Sequence, residues 1–276
     1  MLNRMRKSQE KKSFRGFTDH IARFSDRPPS DSLPFELFSG LWSSDVPGIV
    51  GTGQFRGFED DRIKWMLDKL KSIEGFSVLE LGPLEAAHTY MLEQAGANVL
   101  AIEANYGAFL RCLVVKNYMN MRSKFQLGDF QSLDWEQDRY NLVLASGVLY
   151  HMTDPVGLLE ELSKHTDRLM LWTHCFDTDF DAWSPNARKQ LDKGKWDTKN
   201  IVTGQSGGFK VRMVRQAYGE ALGWNGFCGG PEEFSYWIYR EDLIGLLGHL
   251  GFQKIDVSFD EKGHQNGPCL AILAQR

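Results

Sequence analysis

Short apolar runs and segments with apolar residues at every third or fourth position take turns along most of this chain. The runs predict strands buried on both faces, and the spaced segments predict amphipathic helices. From Glu59 to Ile73, Ile63, Met66, Leu67 and Leu70 fall at helical spacing and lead into a first strand at residues 78–81. Gly82-Pro83 then turns the chain into a helix with Ala87, Met91 and Ala95 as its apolar positions, and Gly96 stands where a helix closes. A second run, Val99 to Ile102, ends on Glu103. Strand, helix and strand make one right-handed crossover unit with acids at the carboxyl ends of both strands. Open α/β sheets place their ligands at that edge.

The alternation continues with a helix from Ala108 to Tyr118, a short strand at Phe125–Leu127 and a buried strand at Tyr140–Ala145. Asp154 as N-cap and Pro155 at the first helical position open the next helix, which carries Leu158, Leu159 and Leu162. A fifth strand spans Arg168 to Thr173. Residues 176–236 then lose the beat, and a structureless stretch of that length is improbable inside a domain. They are expected to form an inserted cap with short helices, such as Ala217 to Leu222. The beat resumes with a helix from Glu241 to Leu250 closed by Gly251, a strand at Lys254–Phe259 and a last strand at Leu270–Ala274. Two strands with no helix between them imply a terminal antiparallel hairpin on an otherwise parallel, seven-stranded sheet. The expected organisation is an N-terminal arm or lid over residues 1–56 and one α/β domain over 57–276 with a cap insertion at about 176–236. The arm opens with a weakly helical start at Thr18–Phe24 and carries an aromatic segment, Phe35 to Trp42.

Composition changes this picture little. The 276 residues are 42% hydrophobic and 25% charged, with a net charge of −4, so no global basic field recruits nucleic acid. Locally, Arg4, Arg6, Lys7, Lys11, Lys12 and Arg15 face only Glu10, a solvated arm or a contact for an anionic partner. No secretory leader follows them, and no stretch approaches the ~18–20 apolar residues of a membrane span. Cys112, Cys175, Cys228 and Cys269 show no metal-ligand spacing and suit reduced thiols in a cytoplasmic protein; no metal site is expected.

The strand ends carry the chemistry. Glu80 with Gly82, Glu103, Asp129, and Ser146 with Gly147 close four successive strands. Glu103 stands 21 positions beyond Gly82, the spacing at which an acid accepts from ribose hydroxyls. The turn itself, Gly82-Pro83-Leu84-Glu85-Ala86-Ala87, lacks the second glycine that lets backbone approach a pyrophosphate. Leu84 would block that approach, and the acids Glu80 and Glu85 favour a cationic ligand. A nucleoside bearing a sulfonium and an ammonium fits, which makes S-adenosylmethionine the expected cofactor and an NAD-dependent oxidoreductase the alternative.

The order ELGP, IEAN, GDF and SGVLYHMTDP, followed by a terminal hairpin, resembles the class I S-adenosylmethionine-dependent methyltransferases. Gly147 to His151 before a Pro-led helix is similar to the branch that contains tRNA wobble-uridine-modifying enzymes and uncharacterised relatives. The resemblance covers roughly residues 75–175 and 237–276 and implies a Rossmann-like fold. It also implies that Glu80 and Gly82 border the methionine end and that Glu103 takes the ribose. Asp129 would accept from the adenine amino group with Phe130 beside the ring, and Ser146 and Val148 would line the methyl-transfer side. Most members carry two or three glycines in the first turn; with Gly82 alone, a non-catalytic binding protein of the same fold is a second reading.

Methyl transfer needs an aligned nucleophile and a place for its proton. His151 and His174, after the fourth and fifth strands, are the candidate bases, with His88 nearer the cofactor; hydrogen-bonded core or capping histidines are the competing reading. Asp154 reads as an N-cap, and Tyr150 as substrate wall or core. In the insertion Trp183, Trp196, Trp224, Tyr236, Trp237 and Tyr239 are placed to stack on a planar or sugar substrate, with Lys210, Arg212 and Arg215 available to an anion; packing within the cap explains the same residues. The expected reaction is methyl transfer to a small-molecule or saccharide-linked acceptor, at oxygen. A tRNA acceptor is the alternative, disfavoured by the acidic charge.

Overall fold

The computed structural model describes residues 24–133 and 139–276. The basic stretch Arg4 to Arg15 and nearly all of the helix expected at Thr18–Phe24 lie outside the described residues.

Seven strands form the main sheet: β1 (Ser77–Leu81), β2 (Asn98–Glu103), β3 (Lys124–Leu127), β4 (Leu142–Ser146), β5 (Arg168–His174), β9 (Lys254–Glu261) and β10 (Cys269–Gln275). Their order is β3-β2-β1-β4-β5-β10-β9. Pairing is parallel from β3 to β5, while β10 runs antiparallel to both β5 and β9. The mostly parallel sheet and its terminal hairpin are therefore as the apolar pattern predicts.

Strand alternation sends neighbouring side chains into different cores. Leu79, Val143, Leu169, Leu171 and Ile272 join one, against α5 (Pro155–His165) and α7 (Arg240–His249). Val78, Leu142, Leu144, Met170 and Leu273 join the other, against α2 (Asp61–Leu70) and α3 (Ala87–Gln94). A further helix, α4 (Tyr106–Tyr118), follows β2. Asp154 does cap α5, accepting from Gly157 N at 2.9 Å.

The arm packs as well as covers. Phe35, on the short α1 (Leu33–Glu36), with Phe38, Trp42 and Val46, is buried against Cys112 and Val115 of α4. Trp42 Nε1 donates to Phe35 O at 2.9 Å, which satisfies the buried indole.

The insertion differs from expectation. Beyond α6 (Pro185–Asp192), it forms a three-stranded antiparallel sheet of β6 (Val202–Ser206), β7 (Phe209–Ala217) and β8 (Phe234–Ile238). The place of the helix expected at Ala217–Leu222 is taken by a 3-10 turn at Gly219–Gly223. The signal was present: in β7, Val211 and Met213 are buried while Lys210 and Arg212 are exposed, the two-residue period of a half-buried strand.

Candidate active site

The carboxyl ends of the parallel strands open into a cavity of about 1160 Å³. A pocket holding one small ligand is typically about 300–1,000 Å³, so there is room for a nucleoside and a second molecule. Along the sheet, the wall passes from Asp129 after β3 and Glu103 on β2, through Gly82 and Ser146, to Trp172 and Cys269 on β5 and β10. The floor thus spans the point where strand order reverses between β1 and β4. The arm supplies Phe55 and Arg56, the turn before α2 and its first residues supply Glu59 and Arg62, and the insertion supplies Phe227, Cys228 and Pro231.

Glu103 is 7% exposed and its carboxylate accepts from Leu84 N at 3.1 Å and Asn105 N at 2.8 Å. Burial raises its pKa above the ordinary carboxylate value, against those donors. Two backbone donors occupy part of its acceptor capacity and leave lone pairs for a ligand. Asp129 accepts from Gln131 N at 2.9 Å and Ser132 Oγ at 3.3 Å, starting the 3-10 turn in which Phe130 is buried. Ser146 Oγ, buried at the cavity wall, has no hydrogen-bond partner among the described residues. An unpartnered buried hydroxyl costs stability unless a ligand or water meets it. Val148 lines the same wall and stands 3.0 Å from where a Cβ on Gly82 would lie, so a side chain there would crowd it, and the positive φ of Gly82 favours glycine as well.

The first turn takes a glycine-like path without the glycines. Gly82, Leu84 and Ala86 have φ of 63°, 54° and 61°, so two residues with a Cβ sit in the left-handed region. The Glu103 carboxylate on Leu84 N and Ala86 N donating to Pro83 O at 2.9 Å hold that path. Glu80 lies beneath it, 2% exposed, with Thr89 Oγ1 donating to its carboxylate. Burial pushes its pKa up to about 7.

Glu85 does not serve as a ligand-facing acid. It is 1% exposed, and its carboxylate accepts from Ser43 N at 2.8 Å and Ser44 N at 2.7 Å, with Arg111 Nε at 3.3 Å. The charge that was read as part of a cationic-ligand field is consumed in fastening the arm to the turn.

Acid at the first turn comes instead from Asp60, the N-cap of α2. Its carboxylate meets His88 Nε2 at 2.9 Å and Arg62 Nε at 2.9 Å. Burial would raise its pKa, but the hydrogen bonds from His88 and Arg62 outweigh it and hold the group well below the usual carboxylate range. The Arg62 guanidinium also lies 4.3 Å over the Trp172 ring. Asp60, Arg62 and His88 all line the cavity. Only His88 stood out in the sequence; Asp60 and Arg62 read there as the start of a helix.

Of the two candidate bases, His151 reaches the cavity. Its Nδ1 lies 2.8 Å from the Tyr218 hydroxyl, which donates to Gly229 O at 2.9 Å. With that proton committed, Nδ1–H donates to Tyr218 and Nε2 keeps its lone pair. Burial, reinforced by His174, pushes the His151 pKa down to about 3. His174 sits behind the cavity wall, 5% exposed and stacked at 4.9 Å on Trp237. Its Nδ1–H is shared between Gly267 O at 3.0 Å and Pro268 O at 3.1 Å, and burial lowers its pKa to about 4. Tyr150 packs edge-on between it and Trp172.

The aromatic residues of the insertion do not form a stacking platform. Trp183, Trp196, Trp237 and Tyr239 are buried together with Phe176 as the core of the cap. Arg212 pairs with Asp242 and covers Tyr239, while Arg215 covers Phe234. Trp224 is exposed.

Residues 79–168 match the methyltransferase-domain family. The match runs from inside β1 to the first residue of β5 and so includes Glu80, Gly82, Glu103, Asp129 and His151. The tRNA U34 carboxymethyltransferase of Campylobacter fetus subsp. fetus (strain 82-40) is 23% identical over 154 residues, 55% of this chain. The chain spans about half the length of that curated relative, 50%. The N-terminal domain of EvdMO1, solved with SAH bound, superposes with a TM-score of 0.64 at 22% identity, over 92% of this chain and 99% of that one. The same domain solved in the presence of SAH and D-fucose gives 0.61 at 21% identity, over 90% and 99%. Over the superposed length the chain thus shares the fold of that domain. Among the described residues no helix is long and apolar enough to cross a membrane.

Proposed function

We propose that this chain transfers the methyl group of S-adenosylmethionine to a hydroxyl oxygen of a small-molecule or saccharide-linked acceptor. The observation that carries the reading is the linear arrangement of acceptors along one sheet edge: Asp129, Glu103 and then the unpartnered Ser146 Oγ. Adenine would sit at Asp129 and Phe130, ribose at Glu103 and the methionyl end over Gly82, the order of that nucleoside's own parts. Asp60 would offer the methionyl ammonium an acceptor and Arg62 would offer its carboxylate a donor, with His88 holding Asp60 in place. The similarity to domains solved with SAH, the demethylated product, supports the same cofactor.

The cavity beyond Ser146, walled by Tyr150, His151, Trp172 and Phe259, is left for the acceptor. An acceptor hydroxyl would donate to His151 Nε2, which aims its oxygen at the methyl carbon and takes the hydroxyl proton as the carbon–oxygen bond forms; the carbon–sulfur bond would break with its electron pair left on sulfur. Tyr218 acts as a positioning residue through Nδ1. The EvdMO1 domain solved in the presence of D-fucose supports a saccharide class. A tRNA acceptor keeps one support, the curated relative.

The test is transfer of labelled methyl from S-adenosylmethionine to panels of deoxysugars, phenols and bulk tRNA. Label in a sugar or phenol ether supports the reading. Label confined to tRNA overturns it.

A further inference from the structure

We propose that His174, His264 and Cys269 form a binding site for a borderline divalent cation of the zinc class at the acceptor end of the cavity. One ligand atom from each lies within 4.8 Å of the others. Tetrahedral nitrogen and sulfur ligands on zinc sit about 3.3–3.8 Å apart, given bonds of about 2.0–2.3 Å, so closure needs a contraction of about 1 Å. The fold places that adjustment on one residue. His174 and Cys269 are directly opposed on β5 and β10 and are both buried, whereas His264 lies in the turn between β9 and β10 and is partly exposed.

Three features suit a metal rather than a plain aromatic cluster. His174 donates Nδ1–H to two backbone carbonyls, which fixes the tautomer with its Nε2 lone pair free, the arrangement that orients metal-binding histidines. The pairing of β10 with β9 slips between Cys269 and Ala271, and Phe259 on the slipped strand has φ of 49°. Such irregularities re-aim side chains beside functional sites. His264 and Cys269 both line the cavity while His174 closes the site from behind, so a fourth position opens toward the acceptor. Glu261 on the same wall adds negative charge. Binding releases the thiol proton to solvent. A soft thiolate with two imidazoles selects zinc or cobalt over magnesium or calcium. His264 and Cys269 stand five positions apart, but His174 comes from a strand 90 positions upstream, so the full set does not announce itself in the sequence.

The site rests on its own residues and not on the cofactor. The test is titration of the chelator-stripped, full-length protein with cobalt chloride, followed by competition with zinc chloride. The expected result is one equivalent bound, with tetrahedral visible bands and a near-ultraviolet thiolate-to-cobalt band. Cys269→Ser should remove the thiolate band, and the loop variant His264→Ala should weaken zinc binding by at least about tenfold. Circular dichroism of each variant reports folding. Absence of stoichiometric binding, or binding unchanged in a folded His264→Ala protein, overturns the proposal. Binding of SAH, measured separately, tests the cofactor reading whatever the metal result.

Discussion

Replacing Glu103 is the most informative single change, because two roles of one carboxylate separate in different assays. Its oxygens hold the left-handed Leu84 turn through Leu84 N and also face the cavity. In the proposed complex the same carboxylate accepts from two ribose hydroxyls. A hydrogen bond to a charged group is worth about 1.5–3 kcal/mol, so losing two predicts a loss of about 3 kcal/mol or more in Glu103→Ala, on the order of a hundredfold or greater in Kd. Glu103→Gln keeps the shape but presents an amide N–H where a backbone donor now points, so it should fall between Ala and the native residue. Calorimetry with SAH reads the affinity, and urea melts read the turn. Because burial raises the Glu103 pKa, native affinity should fall as pH drops from neutral toward the acid range, earlier than for an exposed glutamate. That dependence should flatten in Glu103→Gln. A folded Glu103→Ala protein that binds SAH within about twofold of native would refute the ribose assignment.

Glu80→Gln tests a buried acid. With a pKa raised from 4.5 to about 7, the folded state holds the proton more tightly than the unfolded chain. The penalty is therefore absent below pH 4.5, grows as pH rises toward 7 and stays constant above. Glu80→Gln should stabilise the fold by about 3 kcal/mol at pH 8 and by little at pH 4.5, seen as a pH-dependent rise in Tm; equal effects at both pH values contradict the assignment. Glu85→Ala removes the acceptor for Ser43 N and Ser44 N and strands the buried Arg111, so it should cost about 3–5 kcal/mol and expose residues 43–56 to limited proteolysis. Native-like cleavage kinetics would show that the arm is held by its aromatics instead. His151→Ala should lower methyl-transfer turnover with little change in SAH affinity, and Tyr218→Phe should lower it less, since only positioning is lost. Unchanged turnover in His151→Ala removes it from the reaction.

The sheet was legible because burial on both faces writes continuous apolar runs, as in Leu142–Ala145, between helices that repeat at another period. Strand-end acids were legible for the same reason: once β2 and β3 are located, Glu103 and Asp129 must stand at the ligand edge. Glu85 was not, because what decides its role is a pair of backbone donors about forty positions upstream. Asp60 and Arg62 were hidden by doubling as the start of α2. The aromatic residues of the insertion misled because stacking surfaces and cores use the same residue types; only burial separates Trp196 from Trp224. The pKa values of His151 and His174 depend on desolvation and on a neighbouring imidazole, His174 for the first and His264 for the second, neither of which spacing encodes.

The central claim is that the edge running from Asp129 through Glu103 to Ser146 binds a sulfonium nucleoside. Parallel calorimetric titrations of the native protein with S-adenosylmethionine, SAH and NAD test it most directly. The account predicts saturable one-to-one binding of both sulfur nucleosides and none of NAD. Binding of NAD without either sulfur nucleoside would contradict it.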